Sequence, residues 1–104
     1  LGNDINFENI YSYQIDKLCK KNDLILFFSV SGNSKNLVKA ANTARRKKLK
    51  IISFTGSDGG KLKKNSNFNC TINSNNYGIV EDLHLMIMHS ILDIIVGKKN
   101  LIRN

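Results

Sequence analysis

The chain has 104 residues, 41% of them hydrophobic and 23% charged, which suits one domain with a single core and is too apolar for disorder. Sixteen lysines and arginines against eight acidic residues give a net charge of +8. These cations are spread along the chain without interleaved aromatics, so a solvated basic surface is expected rather than a nucleic-acid interface, and the longest apolar run, Leu83 to Ile95, is broken by His84, His89, Ser90 and Asp93, so no membrane span is expected.

Asn9 to Lys21 carries apolar residues at Ile10, Tyr11, Tyr13, Ile15 and Leu18, roughly a helical stripe that ends at a polar break, and reads as a surface helix feeding a strand. Leu24 to Val30 is apolar as far as Ser29, the pattern of a strand buried on both faces of a parallel sheet. Asn33 or Ser34 caps the next helix, which runs to about Lys48 and turns Leu37, Val38, Ala40, Ala41 and Ala44 inward. Lys50 to Thr55 reads as a second buried strand, Leu62 to Asn67 as a polar connection, and Phe68 to Ile72 as a third strand. The last helix is predicted from near Val80 to about Val96, with Gly97 as its stop signal. Strands alternating with helices imply a parallel sheet, whose ligands lie at the carboxyl ends of the strands.

At that edge Ser29-Val30-Ser31-Gly32-Asn33-Ser34 joins the first strand to the following helix. A helix N-terminus offers unpaired N–H groups and partial positive charge, and three serine hydroxyls exceed what one cap needs, so the turn reads as a phosphate site. Gly32 lets the backbone approach an anion closely. The absence of a lysine from the turn sets it apart from a nucleotide P-loop. After the second strand, Thr55-Gly56-Ser57-Asp58-Gly59-Gly60 is expected to be structural, with Asp58 making an Asx-type bond. Cys19 and Cys70 lie far apart with no metal-ligand spacing, so they are read as buried or free thiols in a reducing, cytoplasmic setting.

The Ser-x-Ser-Gly-Asn-Ser turn after a strand, the Thr-Gly-x-x-Gly-Gly-Lys-Leu segment after the next, and Glu81-Asp82-Leu83-His84 with His89 together resemble the sugar isomerase (SIS) domains, and among them the phosphoheptose isomerases. The resemblance implies a three-layer, flavodoxin-like α/β fold with a parallel sheet and helices on both faces. Because the chain opens at Leu1 just before a Gly-Asn-Asp turn, residues 1–104 are expected to be a partial SIS domain lacking its N-terminal part. The implied substrate is a phosphorylated sugar, sedoheptulose 7-phosphate, with Ser29, Val30, Ser31 and Ser34 at the phosphate and Asn3 and Asp4 at sugar hydroxyls. Val30 could contribute only its backbone.

The same resemblance implies that Glu81 is a zinc ligand and substrate contact, and that His89 is a zinc ligand and the catalytic acid/base. Glu81 stands where the family has glutamine, which changes the charge of the site by about one unit while keeping a sound zinc donor. On a straight helix residues 81 and 89 would be about 12 Å apart and about 80° around the axis, so Glu81 either precedes the regular helix or joins His89 across a subunit boundary of an implied homo-oligomer, a tetramer. His84 is expected to face a neighbouring subunit or the far end of the substrate. The family's remaining zinc ligands and carboxylate base have no counterpart here, so these 104 residues are not expected to catalyse the reaction alone. The alternative is a non-catalytic phosphosugar-binding or protein-interaction module.

Overall fold

A computed structural model of the chain describes residues 9–103. Seven elements follow one another: α1 (Ile10–Leu18), β1 (Leu24–Ser29), α2 (Lys35–Arg46), β2 (Lys50–Gly56), α3 (Gly60–Lys64), β3 (Phe68–Ile72) and α4 (Tyr77–Arg103). The strands form one parallel sheet in the order β1-β2-β3. Its register aligns Leu26 with Ile52 and Ile52 with Phe68, and brings Ser29 beside Thr55 and Thr55 beside Thr71.

Successive strand residues alternate between faces, and the two faces of this sheet differ. Phe27 and Ile51 belong to the main core with Ala40, Ala41 and Ala44 of α2, Ile15 of α1 and Leu62 of α3. The alanines let α2 lie close to the sheet, and the three are fully buried, as the spacing on that helix predicts. On the opposite face Phe28 stacks on Phe54 with ring centroids 4.7 Å apart, and His84 of α4 meets the edge of Phe28 at 5.8 Å. Helices therefore lie on both faces, with α4 against the carboxyl ends of the strands.

Between β2 and β3 the core is polar. Asn69 donates its amide to Ser53 Oγ at 2.8 Å and to Thr55 Oγ1 at 3.1 Å, and accepts from the Thr71 hydroxyl. Ser66 donates to Ser53 Oγ at 2.7 Å, so every buried hydroxyl here has a partner. Satisfied in this way, the network fixes β3 against β2 without the cost of orphaned groups.

Three expectations need correction. Among the described residues β1 is an edge strand, with Leu24 53% and Leu26 36% exposed, so it is not buried on both faces. An apolar run records that a strand can be covered and says nothing of what covers it. The α1 segment is the surface helix expected, with only Ile15 of its stripe buried. The segment after the second loop contains a short helix, α3, where a polar connection was expected. Gly97 does not stop α4, which begins earlier, at Tyr77, and continues to Arg103. A helical glycine costs only about 1 kcal/mol relative to alanine, and nothing lies within 4 Å of a Cβ built there to force a turn. No helix among the described residues is long and apolar enough to cross a membrane. Cys19 packs beside the core and Cys70 is exposed, both as free thiols.

Candidate phosphate-binding site

The serine turn sits at the carboxyl end of β1 and leads directly into α2. Its hydroxyls are held in a particular sense. Ser29 Oγ accepts the Gly32 N–H at 3.0 Å, and Ser31 Oγ accepts the Asn33 N–H at 3.0 Å. Neither hydroxyl donates to a protein acceptor among the described residues. Both O–H groups are thus oriented by the loop while their protons stay free for a ligand oxygen. Ser34 differs, because its hydroxyl donates to Asn36 Oδ1 at 2.5 Å. Ser34 occupies the N-cap position of α2 without a side-chain cap, and the same Asn36 oxygen receives the Leu37 N–H at 2.9 Å instead. The other N–H groups of the first turn have no partner within the helix.

The second loop braces the first. Asn33 Oδ1 accepts the Lys61 N–H at 2.9 Å, the Gly32 carbonyl accepts the Leu62 N–H at 2.9 Å, and the Val30 carbonyl accepts the Gly56 N–H at 2.8 Å. Asp58 makes the expected Asx bond, accepting the Gly60 N–H at 3.0 Å. Gly32 has φ +71°, and a Cβ added there would lie 2.0 Å from the Gly59 carbonyl oxygen. The close approach that requires glycine at this position is therefore between the two loops, a reason the sequence did not reveal.

Beside the turn a cleft of about 300 Å³ brings Ser29 and Val30 together with Glu81, His84, Leu85 and Met88 of α4, over Phe28. Glu81 is exposed and reaches this cleft from within the regular helix, so it does not precede α4. His89 is also exposed and does not line the cleft. Eight positions of a helix separate the two by about 12 Å along its axis. Carboxylate and imidazole are zinc donors, but no cluster of three or more metal-binding side chains exists among the described residues, and this pair does not make a metal centre by itself. Asn3 and Asp4 lie outside the described residues.

His84, expected at a neighbouring subunit or the far end of the substrate, is buried at the floor of this cleft. It is 5% exposed, and its Nε2 lies 3.1 Å from the Thr55 carbonyl oxygen. A carbonyl can only accept, so Nε2 carries the proton. One bond and one ring contact pin α4 to the ends of β1 and β2, and Val80 packs over Gly56, where a Cβ would meet its Cγ1 at 2.8 Å. Sequence reasoning also missed Asn33 as the inter-loop bridge and Asn36 as the helix cap. Both are short amides at a helix start, but spacing does not say which partner each will choose.

A parallel α/β sheet with a hydroxyl-rich loop at its carboxyl edge makes this an α/β domain whose ligand site is expected at the strand ends, and the SIS domain family model matches residues 5–94. The chain belongs to that family. It is similar to the phosphoheptose isomerases of Helicobacter hepaticus, 39% identical over 95 residues, and Buchnera aphidicola, 39% identical over 100 residues. These alignments take in 91% and 95% of this chain but 48% and 51% of the relatives, so the chain spans about half the length of the curated relatives it matches. The solved phosphoheptose isomerase from Francisella tularensis superimposes with a TM-score of 0.82 at 31% identity, covering 90% of this chain and 51% of that one.

Proposed function

We propose that the chain is the phosphate-holding portion of an aldose–ketose isomerase of the phosphoheptose isomerase type, converting sedoheptulose 7-phosphate to glycero-manno-heptose 7-phosphate for heptose in cell-surface polysaccharide. The observation that carries this reading is the serine turn, where two fixed hydroxyls with uncommitted protons stand at a helix N-terminus. Phosphate oxygens take hydrogen bonds from Ser29, Ser31 and the free N–H groups of the α2 start, with Ser34 joining if its hydroxyl leaves Asn36. Anchoring one end of the sugar places the other end in the cleft toward Glu81.

Isomerisation removes a proton from C1 of the ketose, gives an enediol, and returns a proton to C2 as the C1 hydroxyl becomes the carbonyl. No atom is gained or lost. His89 is the assigned acid/base for these transfers. Because His89 and Glu81 are far apart along α4, this role places them in sites shared between copies of a cytoplasmic homo-oligomer, a tetramer. Zinc held by the two residues from different copies, with further ligands from outside the described residues, would supply carbonyl polarisation.

The test is conversion of sedoheptulose 7-phosphate in deuterium oxide, followed by NMR, using the natural polypeptide that carries these residues with zinc supplied. Product bearing solvent deuterium at C2 is expected. A folded protein that gives no conversion contradicts the assignment.

A further inference from the structure

At the opposite end of the sheet a second cleft, of about 390 Å³, opens where α2 ends, β2 begins and α3 turns into β3. Four cations line it: Arg45, Lys48, Lys50 and Lys64. No carboxylate does, and none of the four makes an ion pair among the described residues. The carboxyl ends of helices favour basic residues in their last turns, which accounts for Arg45 on α2 and Lys64 on α3 but not for Lys50 at the start of a strand.

The site is also partly organised. The Arg45 guanidinium is held by Asn65 Oδ1 at 2.7 Å. Asn67 uses its Oδ1 to receive the Ile51 N–H at 2.8 Å, which leaves its amide N–H groups without a protein acceptor. β2 has seven residues, so at about 3.3 Å per residue the cleft lies roughly 20 Å from the serine turn. No single sugar phosphate spans both.

We propose that this cleft is a second anion site, which takes a small ligand with two linked phosphate groups. Four like charges around one opening repel each other, and a multivalent oxyanion relieves that repulsion while a monoanion does so only in part. No aromatic side chain lines the cleft, so no base or ring is stacked there, and a free diphosphate and the diphosphate of a nucleotide are bound by the same groups.

Isothermal titration of inorganic pyrophosphate into the full chain tests this, carried out in the Ser29→Ala, Ser31→Ala background so that loss of the serine-turn donors cannot be confused with loss of this site. Binding should persist in that background, weaken as salt is raised, and fall by about tenfold in Lys50→Gln, Lys64→Gln. Both lysines are exposed and outside the core, so the fold should survive, and circular dichroism checks that it does. Lys35→Gln, Lys39→Gln, two exposed lysines in the first turns of α2 at the other end of that helix from Arg45, changes net charge equally and should leave binding within about twofold, as expected for distant exposed charges. Uridine diphosphate should bind no tighter than pyrophosphate. The proposal is overturned by absence of pyrophosphate binding, by equal losses in the two lysine pairs, by a marked preference for the nucleotide, or by an oligonucleotide that binds where pyrophosphate does not.

Discussion

Replacing Gly32 by alanine tests whether the serine turn is shaped by its contact with the glycine loop. The new Cβ would lie 2.0 Å from the Gly59 carbonyl oxygen and 2.7 Å from its carbon, both backbone atoms that no rotamer change can move. Separating the loops enough to admit the methyl group stretches the Leu62 N–H to Gly32 bond and the Lys61 N–H to Asn33 bond, each 2.9 Å now. Each contributes about 0.5–1.5 kcal/mol, and the left-handed φ of +71° costs a residue with a Cβ about 1–2 kcal/mol more. The sum is about 2–5 kcal/mol, a large part of the 5–15 kcal/mol typical of a domain. Urea unfolding followed by circular dichroism reads it directly, with Gly97→Ala as the reference. That glycine sits in α4 with open space around it, so alanine there should stabilise by up to about 1 kcal/mol. A Gly32→Ala variant within about 0.5 kcal/mol of the parent, the range of an ordinary surface substitution, would refute the reasoning.

His84→Ala should cost about 2–4 kcal/mol through an orphaned Thr55 carbonyl and a void beside Phe28, measured by the same unfolding assay. Asn69→Ala should cost about 1–3 kcal/mol, because Ser53 and Thr55 are fully buried and each loses one of its hydrogen bonds, keeping Ser66 and Thr71 respectively; a thermal melt shifted by less than the error of the measurement would show that the polar network is dispensable. Glu81→Gln should change stability by no more than about 0.5 kcal/mol in the same assay because the side chain is exposed.

Much of this architecture is legible in the sequence because period and punctuation coincide. Phe68 to Ile72 is a strand with the bounds its pattern predicts, Lys50 to Thr55 extends by one residue, and the alanine face of α2 is the buried one. The true start of α4 was legible too, since Asn76 precedes Tyr77 and its Oδ1 accepts the Ile79 N–H at 3.2 Å, a cap signal that the expected start near Val80 overlooks. What escaped depends on contacts distant in sequence. The apolar run of β1 looks the same whether one face is covered or both. His84 has the same identity whether it binds a ligand or a carbonyl in the core. Only the fold, which sets Thr55 and Phe28 against it, decides between these roles. The candidate site followed the same division. The position of Ser29 and Ser31 at the carboxyl end of β1 could be read from local order, whereas the placement of Glu81 at their cleft, and of His89 away from it, comes from how α4 lies on the sheet.

The central claim is that the serine turn holds a sugar phosphate, and the direct measurement is isothermal titration of sedoheptulose 7-phosphate into the chain and into Ser29→Ala, Ser31→Ala, with and without zinc. Two hydrogen bonds to a charged phosphate, at about 1.5–3 kcal/mol each, predict that the double variant binds at least about a hundredfold more weakly while its circular dichroism is unchanged. Equal affinity in the two folded proteins would contradict the account and return the turn to a purely structural connection between β1 and α2.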